Sequence, residues 1–235
     1  MQRYKKLVLF DIDGTLIYHA GSGARGIARF SHAMQTAYGI AVTLDFAKYN
    51  GMIDRQMAWD IAKQHGVTRE QFLEKFPAYA EAMLAFLQES AEKEPLYQLI
   101  DDAVALVHRL KKRSDIALGI ITGNVKRIAE WKLDHAGLAG IISFGLYGDE
   151  ADDRNALARL VFNKAQEEFH QALAPADIVV IGDTVHDIRC GRAIGAMTIA
   201  VTTGYHGARE PLLAEKPDFL VDSLMEKSVR DFLGV

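Results

Sequence analysis

The sequence predicts a doubly wound α/β fold, a parallel sheet covered by helices on both faces, with an all-helical second domain inserted into it. Three observations lead there. Short aliphatic and β-branched runs recur along the chain, each stopped by Gly, Asp or Thr, as buried strands are. Helical periodicity fills most of the gaps between them, the alternation that builds parallel sheets. One long interval after the first run is helical in pattern throughout.

The first strand is Leu7 to Phe10. From Ile17 to about Pro95 no strand-like run appears, and the apolar spacing instead predicts helices over Gly26 to Tyr38, Asp54 to His65, Arg69 to Phe76 and Ala78 to Glu92. This insertion leaves the core after the first strand and returns before the second. Residues 17–95 are therefore expected to form a lid-like cap over that strand's C-terminal end, with residues 1–16 and 96–235 forming the core. The core then continues through a helix from Asp101 to Lys112, a strand from Ile116 to Ile121, a helix from Lys126 to His135 and a strand from Ile141 to Phe144. A helix from Asn155 to Gln171, a strand from Ile178 to Ile181, a helix from Asp187 to Ile194, and strands at Met197 to Val201 and Phe219 to Val221 follow, with a last helix in Leu224 to Val235.

Composition narrows the function classes. With 49% hydrophobic residues, 25% charged and 5 prolines in 235 residues, the chain is neither disordered nor of low complexity. Its 27 basic and 31 acidic side chains give a net charge of −4 with no block of like charge, so neither a nucleic acid nor a membrane surface is the expected partner. One cysteine, Cys190, cannot form an internal disulfide, which suits a reducing compartment. No run approaches the roughly 18 apolar residues of a membrane span, and Leu7 to Phe10 is too short for a secretory signal, so a cytoplasmic location is expected. Nothing in the pattern specifies an oligomeric state.

In an open α/β sheet ligands bind outside the carboxyl ends of the strands, so the residues after each strand matter most. Asp11-Ile12-Asp13-Gly14-Thr15 follows the first strand, Thr122-Gly123-Asn124 the second, and Gly182-Asp183-Thr184-Val185-His186-Asp187 the strand at Ile178 to Ile181. Four carboxylates and a hydroxyl would share one end of the sheet. Such a cluster repels itself unless a hard cation sits within it, and an all-oxygen set suits Mg²⁺. A carboxylate beside Mg²⁺ can attack phosphorus, a second carboxyl two residues on can move the proton, and Thr122 with the Gly123 N–H can bind phosphoryl oxygens.

These three segments, in this order, resemble the motifs of the haloacid dehalogenase superfamily, and the helical insertion sits where its phosphoglycolate-phosphatase-like branch carries a cap. The resemblance implies a phosphatase acting on a small phosphorylated metabolite. Asp11 would be the nucleophile that forms an aspartyl-phosphate, and Asp13 would protonate the leaving oxygen and then activate water. Mg²⁺ would be held by Asp11, the Asp13 backbone carbonyl and Asp183, with Asp187 a further ligand or an outer partner. The carboxyl of Asp13 favours phosphate esters over a dehalogenase reaction. A phosphomutase using the same Asp11 and Asp13, and a non-catalytic binding or sensor protein on the same scaffold, stay open as alternatives.

The family's third motif, a cation for the phosphoryl group, has two candidates. A helix following the strand at Ile141 to Phe144 starts at the active face and runs away from it, which places Arg154 at the site and Lys164 about 15 Å down the helix at 1.5 Å per residue. Arg154 is chosen, with no other cation expected to offset the charge on Asp11 and the incoming phosphoryl group. In the insertion, Asn50-Gly51 reads as a turn and Asp54 as an N-cap. The loop Gly51 to Arg55 is similar to one that reaches the leaving group in capped phosphatases, which makes Arg55 a candidate substrate ligand. His19, His186 and His206 receive no role, and Trp59 and Trp131 are expected in the core.

Overall fold

A computed structural model describes residues 3–20, 24–45, 48–49, 51–204 and 209–235, the side chains of 24–26 excepted. The chain runs through β1 (Lys6–Phe10), β2 (Ile17–His19), α1 (Ala24–Tyr38), α2 (Asp54–Gln64), α3 (Arg69–Ala91), β3 (Tyr97–Leu99) and α4 (Asp101–Lys111). It continues through β4 (Ile116–Ile121), α5 (Lys126–His135), β5 (Phe144–Leu146), α6 (Arg154–Phe169), β6 (Ile178–Gly182), α7 (Val185–Ala193), β7 (Met197–Val201), α8 (Arg209–Ala214), β8 (Phe219–Val221) and α9 (Lys227–Leu233).

Six strands form one sheet in the order β5-β4-β1-β6-β7-β8, and every pairing within it is parallel. Alternation along β1 shows why helices cover both faces. Val8 and Phe10 pack with Leu106, Val107 and Leu110 of α4 and with Val229 and Leu233 of α9. Leu7 and Leu9 point the other way, into a cluster with Leu157 and Val161 of α6 and Cys190 of α7. The chain builds outward from β1 through β4 to β5, then returns to the far side of β1 with β6. That reversal makes the gap between β1 and β6 the switch point of the sheet, and the residues after both strands open onto it.

Helices α1, α2 and α3 share a separate apolar cluster, with Phe30, Met34, Met57, Ile61, Phe72, Tyr79 and Met83 buried in it and Trp59 and Trp131 packed against it. Val125 and Ile128, at the start of α5, belong to the same cluster and join it to the sheet. Among the described residues no helix is long and apolar enough to cross a membrane.

Four local expectations need correction. Strand β2 lies inside the interval read as strand-free and pairs antiparallel with β3, Tyr18 opposite Gln98. At three residues it is too short to show alternation, and its partner lies across the whole helical segment. The strand expected at Ile141 to Phe144 is displaced to Phe144–Leu146, because Ile142 makes an isolated bridge with Ala139 and packs into the core under α4. Helix α7 starts at Val185, not Asp187, with Thr184 as its cap. The two helices expected around Pro77 are one, α3, 23 residues long. Phe72 and Phe76 before the proline and Tyr79 and Met83 after it enter one cluster, and that shared burial keeps the helix continuous.

Pro77 is exposed, removes a backbone donor and crowds the carbonyl one turn back. Replacing it with Ala is expected to raise stability by about 1–2 kcal/mol, the helix penalty less the unfolded-chain entropy that proline removes. A denaturant midpoint no higher than wild type would show that α3 already accommodates the ring without cost.

Candidate functional site

The register of the sheet brings the three polar segments together. Phe10 pairs with Ile120 of β4 and with Ile181 of β6, so the residues that follow emerge side by side. The Asp11 N–H donates to the Ile181 carbonyl at 2.9 Å, and the Thr122 N–H to the Leu146 carbonyl at 3.0 Å, which carries strand geometry one residue past each named strand. Gly14 turns the chain with φ of +84°, and a Cβ there would run into the Asp183 carboxylate. Only glycine meets both demands.

Asp11, Asp183 and Asp187 each present an oxygen within 4.8 Å of the others. Burial pushes the Asp11 carboxyl up to about 7, and the charges of Asp187 and Asp13 add to that against the opposing Arg154. Asp183 is held well above the usual carboxylate range by burial and by Asp187 and Asp11. Three hard oxygen donors whose charges resist crowding are the donor set that a divalent cation of the Mg²⁺ type fits. The Asp183 carboxylate is steadied by the Thr15 hydroxyl at 3.1 Å. Asp187 is committed elsewhere: Oδ2 accepts from the Thr184 N–H at 3.0 Å and hydroxyl at 2.6 Å, and Oδ1 pairs with Arg154.

Arg154 is the first residue of α6, behind an Asp153 cap whose side chain accepts from Ala156 N–H at 2.8 Å. Its guanidinium turns back to the sheet, where Nη2 donates to Asp11 at 3.0 Å and to the Ile121 carbonyl at 3.3 Å, and Nη1 reaches the Gly51 carbonyl at 3.4 Å. Lys164 lies off the site, donating to the Gly145 carbonyl and to Glu150, both at 2.7 Å.

A second cation, absent from the sequence expectations, stands in the site, on Asp13 rather than on Asp11. Lys132 of α5 is fully buried, and its Nζ lies 2.7 and 2.6 Å from the two oxygens of Asp13 and 2.9 Å from Asn124 Oδ1. Asn124 Nδ2 in turn donates to Asp13 at 2.7 Å and to Thr122 Oγ1 at 2.9 Å. Burial alone would raise the Asp13 carboxyl, but Lys132, His19 and Arg29 together hold it well below the usual range. The same burial lowers the ammonium of Lys132. Lys132 had a readable signal, since it stands with Ile128, Ala129 and Leu133 on the buried face of α5, where a lysine needs a partner.

The helical segment sits directly on these loops. Asp54 is not the cap of α2 but its first residue, after Ile53, and is buried. Its N–H donates to the Gly123 carbonyl at 2.8 Å and its carboxylate accepts from the Val125 N–H at 3.2 Å, while burial pushes its carboxyl up to about 6. Arg29 of α1 is buried close enough to Asp54, Asp13 and Lys132 to shift each of them. The hydroxyls of Tyr79 and Tyr97 are buried without a hydrogen-bond partner among the described residues. Arg55 is brought to the core but not onto the carboxylates: it donates to the Asp149 carbonyl at 3.1 Å and lies 3.6 Å from Asp152. Of the remaining sequence expectations, Asn50 and His206 lie outside the described residues.

Comparison with known proteins gives a consistent result. The family model described as haloacid dehalogenase-like hydrolase matches residues 5–195. A phosphoglycolate phosphatase of Synechococcus elongatus is 26% identical over 217 residues, covering 92% of each chain, and one of Vibrio vulnificus is 24% identical over 228 residues, covering 96% of this chain and 95% of its own. Among solved structures, the predicted phosphatase of Clostridium acetobutylicum superposes with a TM-score of 0.68 at 21% identity, covering 99% of this chain and 100% of that one.

Proposed function

The chain belongs to the haloacid dehalogenase-like hydrolases, and we propose on that premise that it is a Mg²⁺-dependent phosphatase that hydrolyses a small phosphorylated metabolite through an aspartyl-phosphate on Asp11. The observation that carries this is a buried carboxylate, Asp11, at the switch point of the sheet, with Asp183 beside it and the Arg154 guanidinium 3.0 Å away.

Asp11, Asp183 and the Asp13 backbone carbonyl would hold the cation, with Asp187 acting from outside through Arg154 and Thr184. Bound there, Mg²⁺ supplies positive charge to the phosphoryl oxygens. An Asp11 oxygen attacks phosphorus as the bond to the leaving oxygen breaks, and that oxygen takes a proton from Asp13, which, ionised at rest beside Lys132, has first drawn it from the bound phosphate monoanion. In the second half Asp13 removes a proton from water, which attacks phosphorus and frees Asp11. Thr122 Oγ1 accepts from Asn124, so its own proton is free to donate to a phosphoryl oxygen beside the Gly123 N–H. Arg154 spreads the charge of the transferring group. Helices α1 to α3 act as a cap: the Gly51 carbonyl on Arg154 and the Asp54 N–H on Gly123 bring the segment over the reacting atoms, where it excludes water and selects the leaving group. With its one cysteine buried and free, we place the enzyme in the cytoplasm.

A panel of phosphorylated metabolites, phosphoglycolate among them because the curated relatives carry that name, should show phosphate release that needs Mg²⁺. Excess chelator should abolish it, and Ca²⁺, which prefers more ligands at longer distance, should replace Mg²⁺ poorly. Asp183→Ala should raise the half-saturating Mg²⁺ concentration by at least the 10- to 100-fold typical of losing even an outer partner of a metal ligand. Full turnover in chelator would end the metal-dependent reading.

A further inference from the structure

Lys132 has no place in the mechanism above, and its surroundings are unusual. An ammonium carried to zero exposure in a helix interior is costly, and a methionine of similar reach would satisfy the packing better. All three of its donors are nonetheless used, two on Asp13 and one on Asn124. Asn124 closes the ring by donating to Asp13 Oδ2, and the same amide holds Thr122 Oγ1. Beneath the ammonium lies the ring of Tyr97, 5.2 Å away, with the His19 ring tilted against it at 4.8 Å between centroids. Asp54 and Arg29 are the other charges facing this group. The Asp13 side chain keeps about a third of its surface open while Lys132 has none, so the lysine braces it from behind and leaves one side free.

We infer that Lys132, with Asn124, is a positioning residue for both proton transfers: it fixes the rotation of the Asp13 carboxyl so that the free side faces the leaving oxygen in the first half-reaction and the attacking water in the second. The inference rests on the phosphatase reading and adds a residue to it. No proton passes through Lys132. The P–O bond to the leaving group breaks as the bond to Asp11 forms, the proton goes from Asp13 to the leaving oxygen, and Asp13 regains one from the water that releases phosphate. Lys132 and Thr122 are linked through Asn124, so the proton carrier and the phosphoryl-binding hydroxyl are held as one unit.

A leaving group that needs no proton separates the two halves. With p-nitrophenyl phosphate, Lys132→Met should still phosphorylate Asp11 but hydrolyse it slowly. A burst of p-nitrophenol approaching one per active site, larger than in wild type, should precede a turnover reduced about 10- to 100-fold. Mass analysis should find the phosphoryl group retained on Asp11. With phosphoglycolate, whose leaving oxygen is an alkoxide, kcat/KM should fall by a larger factor than with the nitrophenyl ester. Lys132→Arg, able to grip both Asp13 oxygens, should recover part of the loss. Should Lys132→Met fail to fold by circular dichroism, Asn124→Ala, which loosens Asp13 without leaving a charge unpaired, should show the same burst and the same difference between esters. Equal losses on both esters without a burst in a folded variant, or wild-type rates, would overturn the inference alone. Wild-type protein with no Mg²⁺-dependent release from either ester would instead overturn the phosphatase reading.

Discussion

Asp11→Asn is expected to abolish phosphate release from every substrate, a loss on the order of 10⁴- to 10⁶-fold, as when a covalent nucleophile is removed elsewhere. The amide cannot attack phosphorus and takes a negative charge out of the cluster with Asp183 and Asp187. Stability should move the opposite way in metal-free protein. The wild-type carboxyl ionises near pH 3.8 when unfolded but only near 7 when folded, because burial opposes the charge. Its raised value therefore destabilises the native state progressively as pH rises from about 4 to 7. In chelator, the melting temperature of Asp11→Asn should exceed that of wild type by a margin that grows over this window and then levels off. Residual turnover with phosphate trapped on another side chain would place the nucleophile elsewhere.

Arg154→Ala should have the next largest effect. Its guanidinium bridges Asp11 and Asp187, and in the proposed mechanism it would meet the incoming phosphoryl charge. Removing a donor of this kind costs about 2.7–4 kcal/mol of transition-state stabilisation, or roughly 100- to 1,000-fold in kcat. The two carboxylates left behind are buried, so the variant should also lose about 3–5 kcal/mol of stability, and rates must be taken well below its own melting temperature. Arg154→Lys should recover part of the activity, since an ammonium keeps the charge but not the planar group whose Nη2 meets both carboxylates while Nη1 reaches the Gly51 carbonyl. Lys164→Ala should stay near wild type because its partners are Glu150 and a carbonyl of β5. A crippled Lys164→Ala beside an active Arg154→Ala would contradict this assignment of the cation.

What was legible in the sequence was local. Asp11, Asp13, Thr122, Asp183 and Asp187 could be read because each follows a recognisable strand, and parallel strands deliver their next residues to one edge. Arg154 could be read because the direction of a helix after such a strand is fixed. The strand before it is displaced, yet the helix, expected from Asn155, starts only one residue earlier at Arg154, since Asp153 caps it. Lys132, Arg29 and Asp54 were missed for one reason: each lies within a helix at a position whose burial is decided by a different, distant segment. A single lysine among apolar neighbours on α5 signals that a partner is needed, but only the fold shows that the partner is Asp13. Pro77 misled through the opposite error, a strong local signal overridden by packing on both sides of it.

The pairing of β2 with β3 has an architectural consequence. Ile17 lies opposite Leu99 and His19 opposite Tyr97, and the Ala20 N–H still meets the Leu96 carbonyl at 2.8 Å, so the strand that departs and the strand that returns are clasped at one point. To the sheet, everything between them is a single closed loop whose length enters only through a slowly growing logarithmic entropy. Residues 20–96 are thus expected to behave as an exchangeable module: another helical segment spliced between Ala20 and Leu96 should leave the strand register untouched, provided it offers an apolar surface to Val125 and Ile128 and partners for the Gly123 carbonyl and the Val125 N–H. A chain built this way can change what it admits without rebuilding the edge where it reacts.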